Sequence, residues 1–307
     1  MLLTFLTYIN YVNQHWKQFI WDVIKNTVVW FSLIVGFSDS ILEVMPEHSA
    51  LYKELRFVWD YVFDHPVVLL LLLLFILTMV LISKWPRPKA IYKDETTDIK
   101  VIIECCDLLK QDGLKIIHSV DTFDTALGRV ISPRSLHGSF LSEVQKQGID
   151  IDALIERSLV STPIEATDDS LPVKKNRYQL GTICPIELGK EDYALVSFSH
   201  LQSDGTIAIR QQEYMQFMMQ MWKNLANPKI RHDEINVAVM GNKFVDLPSE
   251  FSTEQKIDIM LQTFFVAARE RSCCKTLRIC VHSSNITEVD FGSYPSIIKH
   301  LAKRPML

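Results

Sequence analysis

The chain has 307 residues, of which 48% are hydrophobic and 22% are charged, and its formal net charge is −4 at pH 7. This length allows one domain of ordinary size together with a membrane anchor. The acidic balance argues against a nucleic-acid partner, because nucleic-acid-binding proteins usually present a basic face.

The first 38 residues have apolar side chains at three- and four-residue spacing, and this pattern runs into a denser apolar stretch at 28–37. The spacing predicts an amphipathic start followed by a transmembrane helix at about 18–38. That span would contain Asp22 and Lys25, which lie three residues apart and can pair. The alternative is that residues 1–38 lie flat on the membrane as an interfacial helix.

A second apolar run, at 67–82, contains one Thr and no charged residue, and several Lys and Arg residues follow it between positions 84 and 93. Its length predicts a second span at about 66–84. Basic residues accumulate on the cytoplasmic side of a membrane, so we expect the rest of the chain in the cytoplasm.

The segment between the two predicted spans, residues 39–65, is acidic and poor in basic residues. We therefore expect it to be a short helical loop on the extracytoplasmic side, which leaves both termini in the cytoplasm. Residues 1–85 are thus predicted to be a membrane region with a two-helix transmembrane hairpin. Residues 86–98 contain Pro and charged residues and are predicted to be a linker to a cytosolic domain at 99–307.

Predicted strands and helices alternate in the cytosolic part, which indicates an α/β layered sheet. The predicted strands are 99–104, 114–120, 178–186, 193–199, 235–240 and 277–282. The predicted helices are 136–147, 209–225, 253–271 and 294–303. The Met-rich helix at 209–225 is interpreted as core packing, because Met fills irregular gaps.

Ligands of such sheets bind where the strands end, so the loops at Asp107, 118–138 and 240–248 are the candidate sites. Backbone N–H groups at helix N-termini in these loops are suited to anions and nucleotides. Each loop also has a purely structural interpretation, in which Asp107, Ser135 and Thr253 only cap helices.

Catalysis and metal binding have little support in the sequence. No G-x-S-x-G, H-E-x-x-H or Walker pattern occurs, and His118, His137 and His200 are interpreted as hydrogen-bonding groups. The six cysteines show no C-x-x-C spacing, so we expect no structural metal site.

Six segments carry a resemblance to a known family: CDLL, HSVDTFDT, ISPRSLHGSF, YQLGTI, ALVSFSH and VAVMGNKFVDLP, in chain order. Together they make residues 99–303 resemble a divergent macro-like domain, which implies a three-layer fold with a mixed sheet between helices. Behind two predicted spans, this domain resembles the membrane-anchored macro-domain effectors of bacterial type II Thoeris antiphage defence.

The resemblance implies a function. A partner TIR-domain enzyme makes an ADP-ribose-type signal from NAD, such as an amino-acid- or base-conjugated ADP-ribose. The effector binds this signal, self-associates and disrupts the lipid of the inner membrane, causing abortive infection. It needs no resident cofactor. The alternatives are a membrane-tethered ADP-ribose hydrolase and a passive reader of ADP-ribosylated protein.

The resemblance also assigns ligand contacts. It places Asp107 and Leu108 at the adenine, and it places Ser119, Asp121, Phe123, Asp124 and Thr125 at the distal ribose. One phosphate loop is expected to consist of Ser132, Ser135, Leu136, His137 and Gly138. A second phosphate loop is expected to consist of Gly241, Asn242, Lys243 and Phe244. The chain departs from the family pattern at Cys106, which replaces a Gly. Val120 and Asp121 stand where catalytic macro domains have the Asn that assists hydrolysis, which favours a sensor without catalytic residues.

Overall fold

The computed structural model describes residues 2–46, 48–94, 97–241 and 251–303. The chain divides into two compact units, Met1–Arg87 and Pro88–Leu307. The N-terminal unit is helical and contains α1 (Leu2–Val44), α2 (Ala50–Asp64) and α3 (Pro66–Lys84). α1 and α3 pack against each other through Phe19 and Val23 of α1 and Ile76 and Val80 of α3.

α3 coincides with the predicted second span. It begins with Pro66, whose missing N–H is no loss in the first turn of a helix. Among the described residues, it is the one helix long and apolar enough to cross a membrane, with a mean hydropathy of 3.0. The first predicted span lies inside α1, a helix of 43 residues, so the transmembrane hairpin stays a prediction. The segment 39–65, expected to be a helical loop, is largely helical, because α1 extends to Val44 and α2 follows.

The C-terminal unit is built on a mixed sheet. The strands of this unit are β1 (Lys89–Lys93), β2 (Lys100–Cys105), β3 (Leu114–Val120), β4 (Ala166–Thr167), β5 (Asn176–Arg177), β6 (Ile183–Leu188), β7 (Glu191–Leu201), β8 (Ile207–Ala208), β9 (Glu234–Ala238) and β10 (Thr276–Val281). β4 and β5 form a separate two-stranded sheet. The main sheet has eight strands in the order β1-β2-β10-β9-β3-β7-β6, with β8 paired to β7. The five strands from β2 to β7 in this order are parallel, whereas β1 and β6 are antiparallel to their neighbours.

Helices cover both faces of the sheet. They are α4 (Leu136–Lys146), α5 (Ile151–Leu159), α6 (Gln211–Leu225), α7 (Thr253–Glu270) and α8 (Tyr294–Lys303), and two 3-10 turns span Leu108–Lys110 and Ser283–Glu288. Successive side chains of a strand point to opposite faces. On β7, Leu195 packs into a cluster with α4 and α5, while Phe198 packs against Tyr214 and Phe217 of α6. The predicted α/β fold with a mixed sheet between helix layers is therefore confirmed.

The linker predicted at 86–98 is wrong in part, because residues 89–93 form β1 and pair with β2. This edge strand is short and mostly exposed, so its sequence KAIYK has few apolar residues to reveal it. Helix α5 and the short strands β4, β5 and β8 were also not predicted. The Met-rich helix packs as expected, with Met218 and Met221 fully buried.

Candidate functional site

The carboxyl ends of the parallel strands bring the three predicted ligand loops to one edge of the sheet. β2 ends just before Asp107, β3 ends before the loop that leads to α4, and β9 ends before Gly241. The order of the strands places β10 between β2 and β9, so His282, which follows β10, also lies at this edge. Sequence reasoning did not include His282, because the order of strands cannot be read from the chain.

The first loop presents a carboxylate that remains accessible. Asp107 caps the 3-10 turn, since its Oδ1 accepts a hydrogen bond from the N–H of Leu109 at 3.1 Å. The other oxygen lies 3.6 Å from Nζ of Lys110, and the side chain is 52% exposed. Leu108, the next predicted contact, is buried in the core. The capping role and a ligand-binding role of Asp107 are therefore compatible.

The second loop begins with Asp121, whose carboxylate is occupied by the protein itself. It accepts hydrogen bonds from Nη1 of Arg177 at 2.6 Å, from Nδ1 of His200 at 2.9 Å and from the N–H of Leu201 at 3.0 Å. The hydrogen bond to Asp121 raises the pKa of His200 above its usual value. Asp121, which is 1% exposed, thus ties the loop to β5 and β7.

The next predicted contacts also serve the scaffold. Phe123 has a φ of 50°, a left-handed conformation that is costly outside glycine, and its buried ring meets Tyr178 edge-on. Asp124 is fully buried and accepts hydrogen bonds from backbone N–H groups. Thr125 donates to the carboxylate of Asp152. These residues lie close together in the structure, but their polar groups hydrogen-bond to other parts of the protein and hold the loop in place.

The end of this loop forms the N-terminus of α4. Ser135 is the N-cap, and its Oγ accepts a hydrogen bond from the N–H of Gly138 at 2.9 Å. A Cβ at Gly138 would lie 2.0 Å from the carbonyl oxygen of Ser132, so only glycine allows the loop to fold this closely onto the helix. Within the described part of the chain, the N–H groups of Leu136 and His137 have no acceptor. Such N–H groups at a helix start can bind an anion.

Buried polar atoms without partners occur in β3, in the loop that follows it and in the first turn of α4. His118 Nδ1, Ser119 Oγ, Thr122 Oγ1 and His137 Nε2 are all buried and have no hydrogen-bond partner in the structure. Burial lowers the pKa of His118 to about 4 and that of His137 to about 3. Both imidazoles are therefore neutral at pH 7.

The third loop is described only at its start. Gly241 has a φ of 84°, which favours glycine, and its carbonyl oxygen accepts a hydrogen bond from Nζ of Lys256 at 2.8 Å. Burial lowers the pKa of Lys256. The other predicted contacts of this loop, Asn242, Lys243 and Phe244, lie outside the described residues.

Sequence reasoning missed the residues that hold the second loop in place. Nζ of Lys174 lies 2.5 Å from Oδ1 of Asp152 and 2.9 Å from the carbonyl oxygen of Phe123. Arg177 joins Asp121 as described above. The only sign of these residues in the sequence is the basic run at 174–177. This run has no helix or strand periodicity, so the sequence does not indicate which carboxylates it contacts.

No cluster of three His, Cys, Asp or Glu side chains suited to a metal ion occurs within the described ranges. A surface groove of about 540 Å³ lies between α6 and α7 and includes Met215, Met219 and Val266 in its lining. None of the predicted site residues lines this groove.

A family model described as Thoeris protein ThsA, macro domain, matches residues 101–282, which is more than half of the chain. Among solved structures, the Oceanobacillus iheyensis macrodomain with ADP is 12% identical, with a TM-score of 0.41, and the alignment covers 69% of this chain and 97% of that one. The same macrodomain with MES bound is 11% identical at a TM-score of 0.41, with the same two coverages. No curated protein matches the chain. The chain therefore belongs to the family of the Thoeris protein ThsA macro domain.

Proposed function

We propose that the protein is an antiphage defence effector that binds an ADP-ribose-type nucleotide at the edge of its sheet. The signal is made by a TIR-domain enzyme, and binding leads to self-association and disruption of the bacterial inner membrane. The family supports the macro domain and the Thoeris context.

The observation that carries the binding proposal lies at the N-terminus of α4. Its first N–H groups lack acceptors within the described residues, and the positive end of the helix dipole favours negative charge there. The accessible carboxylate of Asp107 lies at the same sheet edge and is suited to the amino group of adenine. A nucleotide diphosphate bound at α4 with its base toward Asp107 uses both features.

We propose binding without turnover. The carboxylate of Asp121, which stands near the position of the hydrolytic Asn in catalytic macro domains, already accepts three hydrogen bonds and is closed to water. A general base must reach the water it activates, and Asp121 does not. This supports a sensor rather than a hydrolase.

The membrane part of the proposal is supported by the N-terminal unit. α3 buries only Ile76 and Val80 within the described residues, while Val67, Phe75 and other apolar side chains are exposed. Exposed apolar surface of this extent indicates contact with lipid or with another copy. The basic residues after Trp85 favour cytoplasmic termini.

Self-association follows from the small size of this unit, since a helical hairpin cannot enclose a pore alone. A ligand drives assembly only if it binds the assembled state more tightly. Moving the equilibrium from 1:99 to 99:1 needs about 10⁴-fold differential affinity. Nucleotide binding that reshapes the β3–α4 loop is the proposed source of that difference.

The test is isothermal titration calorimetry of the full chain in detergent with ADP-ribose. Asp107→Ala should weaken binding by about 1–3 kcal/mol, because it removes the charged acceptor proposed for the amino group of adenine. Asp150→Ala is the matched control, since Asp150 caps α5 in the same way but lies away from the sheet edge. Equal affinities of the wild type and Asp107→Ala would remove Asp107 from the site. Release of ADP-ribose product over many turnovers from an ADP-ribosylated substrate would replace the effector by the hydrolase.

A further inference from the structure

Helix α2 of the N-terminal unit has an exposed apolar face. Leu51, Leu55, Val58 and Val62 recur at three- and four-residue spacing, so their side chains lie along one side of the helix, and we call them the α2 stripe. No side chain of the described residues 50–64 is buried. A short helix is marginal in water unless its apolar face is packed, so the stripe indicates a contact with lipid or with protein.

The rest of the surface of α2 carries its charged residues, which are Lys53, Glu54, Arg56, Asp60 and Asp64. Nε of Arg56 lies 3.1 Å from Oδ1 of Asp60, and both side chains are about half exposed. So many charges in one short helix are costly in the hydrocarbon core, so α2 does not cross a membrane. Acidic and basic residues nearly balance, so α2 does not need anionic headgroups in order to bind a lipid surface.

α2 stands directly before α3, at the point where the chain enters the proposed span. His65 alone separates the two helices, and its backbone is extended, with φ −114° and ψ 91°. Pro66 disfavours a helical conformation in the residue before it, so the two helices do not continue into one. The C-terminal end of α2 is therefore held at the bilayer surface when α3 crosses the membrane.

The aromatic residues of α2 also fit the membrane surface. The rings of Trp59 and Phe63 pack with their centroids 4.5 Å apart, and Tyr52 lies in the first turn of the same helix. Trp and Tyr are enriched at the boundary between lipid and water. A helix with one apolar face, a charged face and aromatic residues is typical of segments that lie in this boundary with the apolar side in lipid.

We propose that α2 lies along the extracytoplasmic surface of the membrane and buries the α2 stripe in the lipid of that leaflet. This inference rests on the proposed function, which sets α3 across the membrane. Lipid is favoured over a second copy of the chain because the bilayer surface adjoins α2 in every single copy, whereas a second copy adjoins it only after assembly. An inserted helix occupies area in one leaflet only, so assembly concentrates this disturbance at one place in the bilayer.

Leu55 and Phe57 form a matched pair for the test. Both are apolar and exposed, by 39% and 71%. The residues three and four positions from Leu55 are all apolar or aromatic. The corresponding neighbours of Phe57 include Lys53, Glu54 and Asp60. Lipid should therefore cover position 55 and leave position 57 in water.

The experiment is labelling of full-length Leu55→Cys and Phe57→Cys proteins with a membrane-impermeant maleimide, without added nucleotide. It is done in intact bacterial spheroplasts and in phosphatidylcholine nanodiscs that each hold one copy. The native cysteines all follow the N-terminal unit, and the wild type measures their background. We expect the thiol at position 57 to react at least about tenfold faster than that at position 55 in both settings, because burial in lipid shields an apolar position. The two rates should become equal in SDS and urea.

The other outcomes overturn the inference in distinct ways. Equal rates at the two positions in folded protein show that the α2 stripe stands in water. Protection of position 55 in spheroplasts that is lost in single-copy nanodiscs assigns the stripe to a second copy. Either result leaves the proposed function intact if calorimetry still shows ADP-ribose binding. Extraction of the wild type from membranes by alkaline carbonate overturns the membrane part of the proposed function, and this inference with it.

Discussion

Gly138→Ala tests how closely the β3–α4 loop is folded onto α4. Helix propensity alone predicts that this change stabilises the protein, by about 1 kcal/mol for Gly to Ala inside a helix. The structure predicts the opposite, because the new Cβ would lie 2.0 Å from the carbonyl oxygen of Ser132 and 2.9 Å from Cα of Pro133. Both atoms belong to the backbone and cannot rotate away.

The magnitude follows from these two effects. Overpacking costs about 1–3 kcal/mol, and the rigid backbone favours the upper end, so a net loss of about 2 kcal/mol remains after the helix-propensity gain. For a unit of this size that loss lowers Tm by roughly 4–8 °C. Differential scanning calorimetry of the full chain in detergent measures it.

Gly292→Ala is the control for Gly138→Ala. Its Cβ would meet only the side-chain oxygen of Asp290, at 3.2 Å, which can move. It should therefore change stability by no more than about 0.5 kcal/mol. A Gly138→Ala protein with a Tm equal to or above that of the wild type would refute the packing argument, and with it the geometry of the α4 start.

Three further predictions concern buried charge and pH. Asp121→Asn should lower the unfolding free energy by about 1.5–3 kcal/mol in urea titrations, because it removes the charged acceptor shared by Arg177, His200 and the N–H of Leu201, while Arg177 keeps Asp168 as a partner. An unchanged unfolding free energy contradicts this. The raised pKa of His200 contributes stability that is present below pH about 6.5 and lost as pH rises through the folded-state pKa. The stability advantage of the wild type over His200→Gln should therefore shrink between pH 6 and 8, and a constant difference contradicts the Asp121 contact. The lowered pKa of His137 has the opposite effect, because its contribution to the unfolding free energy is lost as pH falls below about 6.5. The wild type should therefore lose stability faster than His137→Leu toward pH 4. Parallel stability curves for the two proteins contradict this.

The central parallel strands were predictable because they are apolar and continuous. β3 was predicted with its observed bounds, and β9 and β10 to within two residues. Strand β1 and helix α5 were missed because a short edge strand and a nine-residue helix leave little periodicity in the sequence. The pairing order of the strands depends on long-range packing, which no local pattern encodes.

The position of the candidate site could be predicted from the sequence, whereas the roles of its individual residues could be predicted only in part. The loop from β3 to α4 was found from its place after a strand and before a capped helix. The role of Asp121 was not found, because its partners Arg177 and His200 lie 56 and 79 residues away in the chain. His137 was predicted to be a hydrogen-bonding group, but in the structure its Nε2 is buried and has no partner.

Dye release from liposomes that carry the full chain tests whether nucleotide binding by this protein disrupts a membrane. The products of a Thoeris TIR-domain enzyme incubated with NAD serve as the trigger, and the enzyme without NAD serves as the control. We expect dye release with the products, little release with the control, and weaker release from Asp107→Ala liposomes. Intact liposomes in the presence of products that calorimetry shows to bind the protein would contradict the claim that nucleotide binding drives membrane disruption.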